Sequence, residues 1–380
     1  MIGAAQGVVG WARAQVVQRW YLVPVGVFLA SRVMLLFVWV VLDLKTYPLG
    51  NSFRSWDGGW YTSIARYGYV EQTLGQNVFH PLQQLAFLPV VPFGARAISE
   101  VTPLGVVEAA ALQSLVAGCI GVALLWRVVE RRLGADVATA SMTFLVFSPS
   151  AYVLSMFYTE SMSLLLVGAC FWALDHRRWW LVGVAGLLAG LTRPTGFLLV
   201  VPCLVVLVGD WRDGRRPRPL AVAASLASPL AFGCWVLYVA HRTGDLFGYF
   251  DIQRLGWGTR VDGGVASVEA IWRVVTWPPA TVNELVHVLA VVVLGGLGLV
   301  LLRRTSVPPE WWWYAVASVL LTVVNAQQTS GWRYLIPTFP LFVGWMARTP
   351  RTLRPTVVAM SAMAMGLFAT MSSTPLKLVP

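Results

Sequence analysis

The sequence contains few charged residues and many long apolar runs. Only 12% of its 380 residues are charged and 57% are hydrophobic, with a mean hydropathy of +0.67, whereas soluble domains carry about 25% charged residues. Apolar runs that approach the roughly 20 residues needed to cross a bilayer recur along the whole chain. This composition leaves no room for a soluble domain of useful size, and it predicts an all-α, polytopic transmembrane protein.

The chain also lacks the motifs of several cofactor-dependent classes. It contains no GxxxxGK[ST] phosphate loop and no HExxH zinc motif. Its 4 cysteines fall within apolar runs and show neither metal-ligand spacing nor a loop location typical of disulfides, and its 4 histidines are dispersed. We therefore expect no cofactor, with a loosely held divalent cation left open. The energy for any reaction must come from an activated substrate or a gradient.

Acidic residues and lysines are scarce. The chain has 17 acidic against 28 basic residues, a net charge of +11, and its only lysines are Lys45 and Lys377. Because the arginines lie in short loops between apolar runs, they indicate membrane topology and contacts with anionic lipids, and do not indicate a nucleic-acid partner. The residue usage is typical of a GC-rich bacterial genome, which predicts a plasma-membrane location.

The arginines also predict the course of the chain. We expect one domain over residues 1–380, with a retained cytoplasmic N-terminus and a first span over 20–42 that delivers a first external loop, about 43–105, containing interfacial helices. The proline-containing segment 81–98 fits either a span or a re-entrant piece. If it does not cross, every later basic cluster lies inside, and we favour that interpretation. About eleven helices result, with a second large external loop at about 241–281. The remaining spans are predicted at 106–126, 137–152, 161–174, 179–191, 196–208, 220–240, 282–302, 311–325, 334–346 and 356–371.

The segment Ser55-Trp56-Asp57-Gly58-Gly59-Trp60-Tyr61 is the strongest candidate for chemistry. A carboxylate at a bilayer surface, flanked by tryptophans, is typical of a group held toward a lipid-linked substrate, so Asp57 is the predicted catalytic residue. The alternative is a helix N-cap, with a helix over 58–67 that ends at Gly68. Two glycines weaken a helix start by about 1 kcal/mol each, which indicates that something approaches the backbone closely.

Three further charged residues interrupt apolar segments. Glu160 binds a sugar hydroxyl or stabilises the start of the following helix. Arg193, beside a Pro-Gly break, and Arg333 either hold a phosphate bidentately or extend toward lipid headgroups. Arg32 lies near the middle of the first span, where an unpaired charge is costly. One of these arginines is expected to neutralise a phosphate leaving group.

Aromatic and polar residues of the external loops complete the predicted binding site. Trp56 and Trp60 flank Asp57, and His80 lies later in the same loop. The second loop mixes aromatic and charged residues in a manner that suits carbohydrate stacking, although interfacial anchoring explains such aromatics equally well. These loop residues are Asp245, Phe247, Tyr249, Phe250, Asp251, Arg254, Trp257 and Trp277.

Several short motifs follow one another over most of the chain. They are Trp56-Asp57-Gly58-Gly59-Trp60-Tyr61, Phe79-His80-Pro81-Leu82, Phe147-Ser148-Pro149-Ser150, Tyr158-Thr159-Glu160-Ser161, Thr192-Arg193-Pro194-Thr195-Gly196, and Arg333-Tyr334 before Phe339-Pro340-Leu341. Together these motifs resemble the PIG-V type of mannosyltransferase, within the GT-C class of polytopic glycosyltransferases.

The resemblance implies an inverting transfer of mannose from a polyprenyl-phosphate-mannose donor to a glycolipid or other extracytoplasmic acceptor, with Asp57 as base. Two departures are visible. The stretch His80-Pro81-Leu82-Gln83-Gln84 carries a histidine and glutamines where relatives are more often aromatic, which bears on acceptor choice. Asp57 stands alone where many GT-C relatives pair two acidic residues, which argues against the protein O-mannosyltransferase branch. The main alternative is a lipid or glycolipid transporter, for which a midplane cavity is expected.

Overall fold

The computed structural model describes residues 20–43, 49–75, 78–276, 281–326 and 331–373. Within these ranges the regular structure consists of helices, apart from two single-residue β-bridges. The helices, in chain order, are α1 Leu22–Asp43, α2 Leu49–Arg54, α3 Asp57–Tyr67, α4 Val90–Val101, α5 Val106–Val146, α6 Glu160–Asp175, α7 Trp179–Gly190, α8 Val200–Arg212, α9 Pro219–Thr243, α10 Gly248–Trp257, α11 Val265–Thr276, α12 Val282–Arg303, α13 Pro309–Val324, α14 Gly331–Leu335, α15 Phe339–Arg348 and α16 Arg354–Ser372.

Six helical segments among the described residues are long and apolar enough to cross a membrane. They are Leu22–Val41, Val106–Val146, Pro194–Arg212, Pro219–Thr243, Val282–Arg303 and Arg354–Ser372. The predicted all-α, polytopic helical bundle is therefore confirmed. The other predicted spans correspond to shorter helices, α6, α7, α13 and α15, which have 16, 12, 16 and 10 residues.

Helix α5 contains two of the predicted spans, joined at Gly134. This glycine has φ 83° and ψ 163°, a conformation outside the helical region that only glycine adopts readily. The indole Nε1 of Trp126 donates to Oγ1 of Thr139 at 3.0 Å, although 13 residues of continuous helix would separate their backbones by about 20 Å. The chain therefore folds back at Gly134, and α5 is a helical hairpin whose two arms fall near the predicted spans 106–126 and 137–152.

The segment predicted as the first external loop carries short helices, as expected. Helix α3 ends at Gly68, which has φ 75° and donates its N–H to the carbonyl of Ile64. Helix α4 buries Val91, Pro92 and Ala95 and packs against α5. Its 12 residues extend about 18 Å, less than the roughly 30 Å of the hydrocarbon core. Helix α7, at a predicted span, has the same 12 residues, so the interpretation that segment 81–98 does not cross stays a prediction.

The basic loops and the candidate catalytic residues lie at opposite ends of the bundle. Helix α6 begins at Glu160 and ends at Asp175, so these carboxylates are separated by about 22 Å along the helix axis. Asp175 pairs with Arg132 at 2.9 Å, and Arg354 pairs with Asp136 at 2.7 Å beside the α5 turn. Arg132 and Arg354, from two of the basic clusters, therefore lie at the end of the bundle away from Glu160, and the side of the membrane that they face stays a prediction.

Candidate active site

Four charged side chains from distant parts of the chain form one connected cluster. Nη1 of Arg333 donates to Oδ2 of Asp57 at 3.0 Å. Oε1 of Glu160 lies 3.1 Å from Nε of Arg333 and accepts a hydrogen bond from Nη1 of Arg193 at 3.1 Å. The exposed side-chain fractions are 20% for Asp57, 13% for Arg333, 6% for Arg193 and 1% for Glu160. Two carboxylates and two guanidinium groups balance, which makes their shared burial tolerable.

Asp57 is the first residue of α3 and does not act as its N-cap. Trp56 occupies the cap position with φ 55° and ψ −121°, and a positive φ is uncommon for a bulky residue. The hydroxyl of Tyr158 accepts from the backbone N–H of Asp57 at 3.3 Å and donates to the carbonyl of Ser55 at 3.2 Å. Because Tyr158 holds the start of the helix, the Asp57 carboxylate is turned to Arg333.

A side chain at either glycine after Asp57 would meet its neighbours only at ordinary contact distance. A Cβ at Gly58 would lie 3.4 Å from the carbonyl oxygen of Phe53 and 3.6 Å from that of Phe157, whereas at Gly59 the nearest atom is 4.0 Å away. The backbones of Phe53 and Phe157 are hydrogen-bonded to each other at 2.8 Å. The segment around Gly58 therefore packs beside the loop before α6, and the close approach predicted from the sequence stays a prediction.

Arg193 is held by a break between α7 and the 3₁₀ turn Pro194–Leu199. Its backbone is extended, with φ −159° and ψ 157°. A Cβ at Gly196 would lie 2.0 Å from the carbonyl oxygen of Ala189, so this position of the Thr192–Gly196 motif accepts no side chain. The tight turn directs the Arg193 guanidinium to Glu160 and over the ring of Tyr334, 5.3 Å from its centroid.

Three of these side chains line a cavity of about 560 Å³, namely Asp57, Arg193 and Arg333. This volume is in the range of small-molecule sites. Glu160 lies behind the two arginines and is not part of the lining, and its second oxygen, Oε2, is buried without a hydrogen-bond partner among the described residues. The cluster therefore presents one carboxylate and two guanidinium groups to the cavity.

The segment predicted as the second external loop supplies another wall. Helix α10 contributes residues to the lining from Tyr249 to Trp257. The chain after it is fixed by a bridge between Val261 and Asn325 and by a 2.8 Å hydrogen bond from the Ala326 N–H to the Arg260 carbonyl. This wall mixes aromatic rings with an ion pair, Asp251 to Arg254 at 2.8 Å. Trp277 falls outside the described residues.

Two tyrosines beside Asp57 remain protonated phenols. Burial raises the pKa of Tyr61 and of Tyr158 well above the usual range, and the Asp57 carboxylate raises it further. The ring of Tyr158 also lies against the Arg333 guanidinium, 5.1 Å from the centroid. Both tyrosines thus present neutral hydroxyls around the carboxylate.

The structure brings only part of the predicted site together. Trp56 is 41% exposed and donates from Nε1 to the Ser372 carbonyl at 3.3 Å. The ring of Trp60 contacts Trp257 at a centroid distance of 6.1 Å, so Trp60 supports the cavity wall from behind. His80 accepts from the Leu82 N–H at 3.0 Å through Nδ1, which stabilises a turn. None of these three predicted residues lines the cavity.

Arg32 lies elsewhere in the bundle. Its guanidinium donates to the carbonyl oxygens of Ala151 at 2.7 Å and Val146 at 2.9 Å, and to Oγ of Ser155 at 3.1 Å. These hydrogen bonds link α1 to the end of α5 and to the segment after it, and they explain why a charge is tolerated in the first span. Its place in the fold is structural and away from the cavity.

Several lining residues were not anticipated from the sequence, including Tyr61, Gln253, Arg260, Thr322, Asn325 and Thr338. Tyr61 had a detectable signal, because it follows Asp57 by four residues and a helix places both on one face. The others come from α10, from the loop after it and from the segments around the end of α13 and the start of α15, which meet only in the tertiary structure. Among the described residues no three His, Cys, Asp or Glu side chains are grouped to hold a metal ion, and metal dependence stays a prediction to be tested.

Comparisons with known proteins agree with this architecture. A sequence family described as dolichyl-phosphate-mannose-protein mannosyltransferase matches residues 80–239, a range that includes Glu160 and Arg193 but neither Asp57 nor Arg333. It covers less than half of the chain and does not decide between this branch and the PIG-V type. No curated protein matches the sequence.

Among solved structures, ArnT from Cupriavidus metallidurans bound to undecaprenyl phosphate superposes with a TM-score of 0.54 at 18% identity, covering 90% of this chain and 64% of that one. Its apo form gives a TM-score of 0.52 at 16% identity, with 89% and 64% covered. The Archaeoglobus fulgidus oligosaccharyltransferase tethered to an acceptor peptide gives 0.47 at 9% identity, with 95% and 56% covered. The chain thus spans somewhat less than two thirds of the length of these ArnT structures, and its fold is GT-C-like.

Proposed function

We propose that this protein is an inverting membrane glycosyltransferase that moves mannose from polyprenyl-phosphate-mannose to a hydroxyl of a glycolipid or other extracytoplasmic acceptor. The observation that carries the proposal is the location of the Asp57 carboxylate and the guanidinium groups of Arg193 and Arg333 on the wall of one cavity. A base and an anion site within one pocket are what transfer from a phosphate leaving group requires.

The two arginines suit a lipid phosphate. Each guanidinium offers five N–H donors in a planar fork that matches phosphate oxygens, and only part of each fork is engaged by Asp57 and Glu160. Tyr334 lies between them, 5.3 Å from Arg193 and 5.5 Å from Arg333. The ArnT neighbour with undecaprenyl phosphate bound supports a polyprenyl phosphate as the donor carrier.

Asp57 is the proposed base in a single displacement. Its carboxylate takes the proton of the acceptor hydroxyl while that oxygen bonds to the anomeric carbon and the bond from this carbon to the phosphate oxygen breaks. The departing polyprenyl phosphate retains the electron pair, and Arg193 with Arg333 stabilises its charge. A β-linked donor gives an α-mannoside by this route, and mannose itself rests on the family resemblance.

Arg333 links donor binding to the base. Before the donor binds, Oδ2 of Asp57 accepts a hydrogen bond from Arg333, so this oxygen is engaged. A donor phosphate competes for the same guanidinium, and the movement of Arg333 toward it releases the carboxylate for the acceptor. Glu160, buried behind both arginines, holds them in place, and we assign it this positioning role.

The aromatic wall is the proposed sugar contact. Tyr249, Phe250 and Trp257 line the cavity on α10, and their rings suit stacking on a sugar face. Transport is less well supported, because the charged lining residues Asp57, Arg193 and Arg333 lie in short helices or at helix breaks, whereas a transporter is expected to place its polar site near the midplane. The lining within the long helices α9 and α13 includes Phe232, Tyr314 and Ser318 and carries no charge. The positive-inside rule supports an extracytoplasmic site, and residue usage typical of a GC-rich bacterial genome supports a plasma membrane.

A transfer assay tests this function. Purified protein in lipid nanodiscs is given polyprenyl-phosphate-[³H]mannose and an extract of bacterial lipids, and a parallel reaction receives the same carrier with labelled glucose. We expect label to move from the donor to a lipid product that α-mannosidase cleaves, with mannose preferred. If no label moves from the donor to lipid, protein or water, the proposed transferase activity is refuted.

A further inference from the structure

Behind the catalytic cluster, a buried histidine is packed against the first residue of the helix that carries Arg333. His287, on α12, is 1% exposed. A Cβ built on Gly331 would lie 2.6 Å from Nδ1 of His287 and 3.3 Å from Cε1 of the same ring. Real Cβ atoms do not approach another heavy atom so closely, so glycine is required here for α14 to pack directly on the imidazole.

The orientation of this ring is fixed by a chain of hydrogen bonds. Oγ of Ser267, on α11, donates to the carbonyl oxygen of Val323 at 2.9 Å. A serine hydroxyl has one proton to donate, so the 3.1 Å contact between Oγ of Ser267 and Nε2 of His287 is a hydrogen bond from the histidine. Nε2 therefore carries the proton, and Nδ1 is left as the unprotonated nitrogen that faces Gly331.

The same residues lie directly behind the cavity. Val323 precedes Val324 and Asn325, the residues that pair with the backbone of the second external loop, and Asn325 lines the cavity. On the other side, Arg333 follows Gly331 by two residues within α14. The ring of His287 thus stands between the end of α13, α11 and the start of α14.

We infer that His287 is a positioning residue for Arg333, acting through Gly331, and that Ser267 sets the orientation of its ring. Displacement of the start of α14 moves the Arg333 guanidinium away from Asp57 and from the proposed donor phosphate. A misplacement of about 1 Å is enough to cost about 100-fold in rate. This inference rests on the proposed function only for the phosphate, since the Asp57–Arg333 contact is a property of the fold.

The test is a size-compensation cycle with two readouts. Gly331→Ala places a methyl group against the ring, His287→Ala removes the ring, and the double variant gives the methyl group the vacated space. Gly26→Ala is the matched control, because a Cβ at Gly26 meets nothing within 4 Å. The first readout is the affinity for undecaprenyl phosphate in detergent, and the second is the Asp57–Arg333 distance in a cryo-electron microscopy structure of each variant.

We expect Gly331→Ala to open the Asp57–Arg333 contact and to weaken undecaprenyl phosphate binding about tenfold or more, with Gly26→Ala unchanged. The double variant is expected to recover at least half of the lost affinity on a logarithmic scale, and Ser267→Ala to give an intermediate loss. Should Gly331→Ala fail to fold, recovery of folding and of the contact in the double variant carries the same meaning.

Two results would overturn the inference: an unchanged Asp57–Arg333 distance in Gly331→Ala, or a double variant in which the two losses simply add. A different result identifies failure of the proposed function instead. If the wild-type protein and Arg333→Gln bind undecaprenyl phosphate equally, Arg333 is not a phosphate ligand, and the distance measurement then decides the role of His287 by itself.

Discussion

Asp57 and Arg333 are 276 positions apart in the sequence, and their side chains meet at 3.0 Å on the wall of one cavity. The pair joins the first external loop to a short helix that precedes the last two helices of the described chain. It places an acidic group, which a glycosyl transfer needs as a base, beside a guanidinium suited to the phosphate of the donor.

We expect Asp57 to be essential for transfer. We do not expect this of Asp251, the other carboxylate that lines the cavity. Asp57→Asn keeps the size of the side chain and removes the base, so transfer should fall by about 10² to 10⁴-fold while the protein remains folded. Asp251→Asn is the matched control, because Asp251 also lines the cavity but pairs with the exposed Arg254. The assay is transfer from labelled polyprenyl-phosphate-mannose. Equal losses of transfer activity in the two variants would contradict the assignment of Asp57 as the base.

Glu160 is expected to stabilise the fold through the two arginines. Glu160→Gln removes the charge partner that Arg193 and Arg333 share, and loss of one partner of a buried ion pair costs about 3 to 5 kcal/mol. Denaturant unfolding in detergent measures the change in unfolding free energy. The variant Glu160→Gln/Arg193→Gln restores the charge balance and should regain part of the loss. A Glu160→Gln protein as stable as wild type would show that the cluster does not depend on this carboxylate.

The glycine of the Thr192–Gly196 motif is expected to set the position of Arg193. Gly196→Ala brings a methyl group to 2.0 Å from the Ala189 carbonyl oxygen, so the turn after Arg193 must shift, and transfer should fall by about 100-fold. Gly59→Ala is the control. The nearest atom to a Cβ at Gly59 lies 4.0 Å away, and alanine has a higher helix propensity than glycine at this position in α3. Normal transfer activity in Gly196→Ala would show that this turn does not set the position of Arg193.

Opposite ends of the bundle are expected on opposite sides of the membrane. Arg131→Cys and Arg254→Cys place a reactive thiol at two exposed positions, one beside the basic loops and one at the cavity wall. In intact cells a membrane-impermeant maleimide should label position 254 and should reach position 131 only after permeabilisation, with the wild-type protein as the background control. Labelling of position 131 from outside would invert the topology and place the cavity on the cytoplasmic side.

Much of this protein follows from sequence pattern alone. The hydrophobic content and the distribution of arginines determine an all-α membrane bundle, because apolar runs have no other stable solution in a bilayer. The break at Gly68 and the basic ends of the helices were likewise predictable from local residue chemistry. Asp57 was identified from its position between tryptophans at a predicted bilayer surface. Arg193 and Arg333 were identified because charges are costly in apolar surroundings, and all three line the cavity.

What only the tertiary structure decided is which of these residues meet. The sequence gives no means of seeing that Glu160 supports two arginines from behind, that Trp56 and His80 point to other partners, or that Gly331 packs on His287. Those relationships depend on contacts between helices far apart in the chain, where the packing of small residues and the balance of buried charge select one arrangement from many. Sequence pattern determines how each segment is built, and long-range packing determines which side chains share the cavity.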